Sequence, residues 1–477
     1  MRWPATAALL VLLGAAGCGS QYRPVINPVV PTGPAAQPTG YAVVFSQPGL
    51  VLPSDPSLNP LYPPCPGLSS GVFQSYTNPG VVTILDFSGD SIMALANVGN
   101  GPLGFTVDST GTTAFSENCD GTISAVPISA ALQSRNVGTS TLLPGAVPIN
   151  SLVAGSSQYV IEQGRDAIAV MSGSPPALKQ EVFVAPSVIN ATGVATSQRV
   201  YAITQGNINT PTFAWGECAT PSAVSVTGEA DAIEVSNDTI SARLPLGVCP
   251  VYGVSSADGK RAFILNRGSG TVTVINSQLN TLDTALNATG TINLCGGTTP
   301  CNAGPVYADL YTPGNLLVVS NYDNNTVSVI DVSLDVYGND SPTFGKVVAT
   351  VPVGANPAAL TVLQDGSRAY TANKGDGTVT VVNLTNFTAQ KTIQLGSGVT
   401  DPRTIVSTYN YPAGKVYVSS QTSPFVTIIR TDTDVVAATI QAQGNVVDVR
   451  TTNQYAGSTT QGGNNITGSR SYGSGAP

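Results

Sequence analysis

Residues 315–332 read NLLVVSNYDNNTVSVIDV. An apolar run ends at Asn321, a polar turn covers Asn321–Asn325, and Thr and Ser then alternate with Val and Ile. Strict alternation specifies a half-buried strand, and clustered Asn and Asp between two such runs specify a tight turn. The stretch is a hairpin. The same layout recurs in RAFILNRGSGTVTVINS (261–277) and RAYTANKGDGTVTVVNL (368–384), so the hairpin is one copy of a repeated unit.

The four residues that end the first strand of each copy serve as a marker. FILN 263–266, VVSN 318–321 and YTAN 370–373 are its clearest forms, and FQSY 73–76, FSEN 115–118, YVIE 159–162, YAIT 201–204 and YVSS 417–420 occupy the same slot. A Pro-led run precedes the marker: Pro102 and Asn118, Pro250 and Asn266, Pro305 and Asn321, and Pro357 and Asn373 are all 16 residues apart (118 − 102 and so on). A fourth run, such as KTIQLG (391–396), closes the unit. Four short strands at a period of roughly 40–50 residues are the pattern of a β-propeller blade. The expectation is an all-β propeller of eight four-stranded blades. Seven is the alternative if the unit at 159 or 201 is not a blade.

A ring of blades needs a clasp, because an open ring leaves sticky edges. The first unit offers three strands, in GVFQSYTN (71–78), VVTILDF (81–87) and SIMALANV (91–98). GNVVDVR (444–450) matches the inner-strand slot of NPAALTV (356–362), so the C-terminal strand is expected to complete the N-terminal blade. YAVVFS (41–46) is the rival for that inner position.

The units resemble the YVTN family of β-propeller repeats, in FILN, VVSN and YTAN leading into TVTVI, TVSVI and TVTVV. The resemblance covers about 70–450 and implies a propeller of the kind found in bacterial and archaeal surface and exported proteins. It is specific for architecture. Some similar propellers are lactonases, and others carry quinone or copper chemistry.

The segment MRWPATAALLVLLGAAGCGS pairs Arg2 with an apolar run too short to span a bilayer, which has the form of a secretory signal. Its ending, LGAAGC, resembles a bacterial lipobox, with Ala15 where Leu is commoner. Residues 1–17 are therefore expected to be a signal peptide and Cys18 the lipidated N-terminus of the mature chain, its acyl chains giving membrane affinity. Gly19 in place of Asp favours the outer membrane, with the domain in the periplasm or at the cell surface. Residues 18–40 read as a Pro-rich tether, 41–452 as the propeller and 453–477 as a disordered Gly/Ser/Asn-rich tail.

Composition narrows the function. The net charge of −8 offers no footprint for nucleic acid, and no polybasic stretch is present. Histidine is absent, which removes the commonest general base and most zinc, copper and haem ligands. Trp3 and Trp215 are the two tryptophans, too few for a Trp-derived quinone with Trp3 in the signal. No cofactor or metal is expected: single Asp residues in DNN (323–325) and GDG (375–377) fall short of a calcium cage. Six cysteines remain after Cys18, an even number that suggests disulfides in an exported protein. Cys295 and Cys301 would form a local clip, and proximity suggests Cys218 with Cys249 and Cys65 with Cys119.

Asn118, Asn266, Asn321 and Asn373 could form a polar ring at one mouth of the channel, but an Asn at a strand end more often forms the turn itself. For a lactonase-like site, Glu117, Glu162, Glu217 and Arg267 lie in or beside the turns after the second strand. The expectation is a monomeric, non-catalytic binding module with a protein or glycan partner on that face. The 207–228 insertion, with Cys218 and Trp215, is its most distinctive part, and a hydrolase or lactonase is the alternative.

Overall fold

Pro102 pairs with Asn118, Pro250 with Asn266, Pro305 with Asn321 and Pro357 with Asn373, each across an antiparallel ladder. The 16-residue step is therefore the span of an inner hairpin. Proline fits at the first residue of a strand, where a missing N–H breaks no ladder bond. A register shift follows each Pro, where one extra inner-strand residue is absorbed as a bulge.

The computed structural model describes residues 40–49 and 78–452, apart from 109, 195–197, 208–224, 257, 298–300, 312–315, 364, 397, 409–413 and 421. It holds eight antiparallel sheets, each a four-stranded path from one inner to one outer strand. In blade 5 the outer position is divided between Thr281–Leu282 and Thr291–Asn293. The inner strands of blades 2 to 8 begin at Pro102, Pro148, Val188, Pro250, Pro305, Pro357 and Pro402. Each touches the next in chain order, and Asn445–Thr451 lies between those of blades 8 and 2, which closes the ring. Both units whose status left seven blades open, at 159 and 201, form full blades.

Burial falls from the axis outward. In blade 7, Pro357–Val362 is buried throughout, whereas Thr388–Gln394 buries only Ile393. Inner strands lie between neighbouring sheets on both faces, so their apolar residues run continuously instead of alternating.

The N-terminal blade corrects the sequence reading in one respect. Asn445–Thr451 is its inner strand, as expected, but Tyr41–Gln47 is the second, pairing with both Asn445–Thr451 and Val81–Asp86. YAVVFS is therefore not an inner strand, and it occupies the slot assigned to FQSY 73–76, which lies outside the described residues. Gln47 stands in the marker position, its amide donating to Asn78 O at 3.1 Å while its carbonyl accepts Gly101 N–H at 2.9 Å. The clasp is thus one C-terminal strand with three N-terminal ones.

A repeated contact joins blades 3 and 4, 4 and 5, and 7 and 8. Tyr159, Tyr201 and Tyr370 share one position on the second strand and are fully buried. Their hydroxyls donate to Asp238 (2.6 Å), Asn280 (3.1 Å) and Asp434, each in the third-to-fourth-strand turn of the following blade. All three acceptors have positive φ (55°, 55° and 52°), a conformation that Asn and Asp tolerate best after Gly. At the ring's seam Lys415 of blade 8 reaches the same turn of blade 1, bonding Asp90 and Phe87 O at 2.6 Å each.

Candidate functional site

The turns between second and third strands carry the marker residues. Asn266 Nδ2 donates to the hydroxyls of Thr271 (3.1 Å) and Thr273 (2.8 Å), Asn321 to Thr326 (3.0 Å) and Ser328 (2.8 Å), and Asn373 to Thr378 (2.9 Å) and Thr380 (2.8 Å). Asn118 does the same with Thr122 (3.1 Å) and Ser124 (3.0 Å), one residue closer because its turn is shorter. All four are fully buried. They are ties across a hairpin, and their partners are the Thr and Ser of the alternating TVTV strand. The end of the preceding blade packs on three of them: a Cβ at Gly99, Gly247 or Gly354 would lie 2.4–2.8 Å from Asn118, Asn266 or Asn373.

The turn of the opening stretch joins three blades. Arg267 of blade 5 bonds the Asp323 carboxylate through Nε (3.1 Å) and Nη2 (2.9 Å), with its guanidinium 5.0 Å from the Tyr322 ring centre. Asn325 Oδ1 accepts Asn356 N–H of the blade 7 entry at 2.8 Å, and Asn356 Nδ2 returns to Tyr322 O at 3.2 Å.

The ionisable residues considered for lactone chemistry do not meet in the open turns. Arg267 is held at the blade 5–6 junction. Glu162 is fully buried in blade 3, and burial, then the neighbouring Glu181, raises its pKa to about 8. Glu181 is held below its usual range by the Arg165 guanidinium, bonded at 2.6 and 2.9 Å. Glu217 lies outside the described residues, as does most of the 207–228 insertion.

Glu117 is likewise withdrawn from the turns and lies among buried residues of the inner strands. The ladder places it opposite Gly104, which has no side chain to fill the space. Burial raises its pKa to about 8, against the pull of Ser151 and Arg450, so it is protonated at neutral pH. Neither carboxyl oxygen makes a hydrogen bond of normal geometry among the described residues. Around it are Asp448 and Arg450 of blade 1, joined at 2.7 Å and both buried. Arg403 of blade 8 also acts on Asp448, whose pKa burial raises and the two arginines oppose. Tyr252 of blade 5 stacks on Tyr307 of blade 6 at 4.6 Å, and Arg450 acts on both. Blades 1 and 5 stand opposite in an eight-membered ring, so this cluster spans the axis. Asp309 also belongs to it, accepting Leu310 N–H and Val362 N–H at 2.9 and 2.8 Å. The cluster thus holds two arginines and two aspartates beside a protonated Glu117. Sequence reasoning missed this cluster; its signal is Gly104, opposite a Glu, where blades 5 and 6 carry Tyr252 and Tyr307.

Cys295 and Cys301 form a disulfide with Cα atoms 5.5 Å apart. Cys119 and Cys249 are also disulfide-bonded. The partners suggested for them, Cys65 and Cys218, lie outside the described residues, as does Cys18. Among the described residues no group of three or more Cys, Asp or Glu is arranged to hold a metal ion.

No family model matches the chain, and no curated protein matches its sequence. Solved structures do. Apo AztD from Citrobacter koseri superposes with a TM-score of 0.56 at 13% identity, covering 86% of this chain and 98% of that one. The dihydro-heme d1 dehydrogenase NirN, in complex with DHE, gives 0.55 at 11% identity, covering 86% of this chain and 75% of that one. At these identities the likeness is one of fold. One of the two similar structures is an enzyme by its name, so the shared fold leaves the activity open.

Proposed function

We propose that this chain is an exported, lipid-anchored propeller of the YVTN type that works as a binding module, holding a protein or glycan partner on the face of the second-to-third-strand turns. One observation carries this reading. Glu162 and Arg267, two of the residues a hydrolase would draw on, are held at separate blades, and Glu117 is enclosed among the inner strands. Three residues so dispersed have no common substrate to face, whereas turns tied by buried Asn residues make a rigid platform for recognition. The alternative, a hydrolase or lactonase, has one point in its favour: Glu117 and Glu162 hold their protons at neutral pH, as general acids do.

The two readings separate in one experiment. The full-length chain, used as bait against envelope extract, is expected to retain a partner while leaving lactone esters intact. Lactone turnover that falls on Glu117→Gln would establish the hydrolase instead. The anchor rests on LGAAGC and is tested apart. Fatty-acid label is expected on the chain and absent from Cys18→Ser; label that persists removes the anchor from the reading.

A further inference from the structure

Most third-to-fourth-strand connections are short: 173–176 in blade 3, 235–238 in blade 4, 384–387 in blade 7 and 431–434 in blade 8. In blade 6 the connection is 332–346. This longer loop is braced. The Asp335 carboxylate accepts the N–H groups of Tyr337 (2.8 Å) and Asn339 (2.9 Å), and Leu334 pairs with Asp340 as an isolated bridge. Blade 5 props it from the side: Lys260 Nζ donates to Gly338 O at 3.3 Å, and Arg261 bonds Asp340 at 2.7 Å. At the tip, Val336 and Tyr337 are 92% and 86% exposed. An aromatic held in solvent on a braced loop contributes nothing to the core and is available for a ligand.

Beside the tip lies a depression of about 410 Å³, lined by Lys260, Arg261, Asn276, Gln278, Asn339 and Asp340, with Gly338 next to Tyr337. Its chemistry selects a ligand class. Gln278 presents amide donors and an acceptor in one plane, while Asn276, whose Oδ1 accepts Gln278 N–H, adds a donor and Asn339, whose Nδ2 donates to Asp335, adds an acceptor, a set that suits adjacent hydroxyls. Lys and Arg beside Asp leave no single sign of charge to attract a polyanion or a polycation. Tyr337, exposed and next in sequence to Gly338 of the lining, carries a phenol ring whose apolar surface suits the C–H face of a pyranose. The anchors of a protein partner need a well-packed, desolvated pocket, and this floor is polar.

We propose that this depression between blades 5 and 6 binds a segment of neutral polysaccharide, its hydroxyls on Asn276, Gln278 and Asn339 and one sugar face on Tyr337. The site lies on the opposite end of the ring from the turns discussed above, so it stands or falls separately from the partner proposed there. The test uses the full-length chain on immobilised dextran, mannan, xylan and chitin, with heparin as the anionic comparison. Retention on at least one neutral polymer is expected, and Tyr337→Ala and Gln278→Ala should each weaken it tenfold or more. Both side chains are exposed, so the variants should melt with the wild type. No retention on the four neutral polymers, retention on heparin alone, or retention indifferent to both substitutions would overturn the proposal. Envelope capture by Tyr337→Ala at wild-type yield, in any of those cases, would show that the partner on the other face is unaffected.

Discussion

Glu117 faces Gly104, where other blades pair Leu265 with Tyr252, Ser320 with Tyr307 and Ala372 with Ala359. The missing side chain at 104 makes room for a carboxyl in the interior, and the interior then decides its ionisation. A folded pKa of about 8 against an ordinary 4.5 means that the native state keeps a proton the unfolded chain releases. Stability from this group is complete below about 4.5 and is lost as pH rises through about 8, at up to about 1.4 kcal/mol per pH unit between them. Glu162 acts in the same sense. Asp231, raised by burial to about 6, adds to it over the lower part of the range, so the chain should melt at a higher temperature at pH 5 than at pH 8.5, and Glu117→Gln should shrink that difference by removing one of the contributing groups. An equal fall in wild type and variant would mean that Glu117 titrates normally. The sequence placed this residue in an open turn because its marker slot precedes one. It could not show that position 117 lies under the turn, since that depends on the residue across the ladder.

Strands were legible wherever the repeat is strong. The alternation of TVTVIN (271–276) and TVTVVN (378–383) is imposed by a ladder in which Thr hydroxyls reach the marker Asn and Val fills the space between sheets. Pattern and contact there are the same fact. The Pro-to-Asn step was equally readable, being the length of one hairpin. Legibility failed in blade 1 because Tyr41–Gln47 and Val81–Asp86 are adjacent in the sheet but far apart in the chain. Chain proximity favoured FQSY 73–76, five residues before Val81. YAVVFSQ reads as a buried strand, yet a continuous apolar run does not say which strand it pairs with; Gln47, standing in for the marker Asn, was the residue that could have told. The blade 5–6 depression was illegible for a different reason. Its lining comes from two strand ends and a loop more than 50 residues further on, and no one-dimensional pattern brings these together.

Closure joins these scales. Blade 1 takes its inner strand from the far end of the chain, so the ring exists only while Asn445–Thr451 is paired. The same strand carries Asp448 and Arg450 into the axial cluster, and Thr451 Oγ1 donates to Ser407 O of blade 8 at 3.1 Å. Removing it would expose the edge of Tyr41–Gln47, leave Arg403 without Asp448, and open the inner faces of blades 8 and 2 to water. Losses on that scale exceed the 5–15 kcal/mol by which domains of ordinary size are stable. Deleting 444–477 should accordingly give a chain that is unfolded or aggregated, and a synthetic peptide spanning 443–452 should restore part of the folded signal by filling the vacant edge. Deleting 453–477 alone should shift stability by no more than about 0.5 kcal/mol, the scale of surface changes. Thermal melts of both truncations, with and without the peptide, decide the matter. If the longer deletion melts cooperatively at the wild-type temperature, the seven remaining blades hold the ring without a clasp, and the axial charges are not part of what keeps it closed.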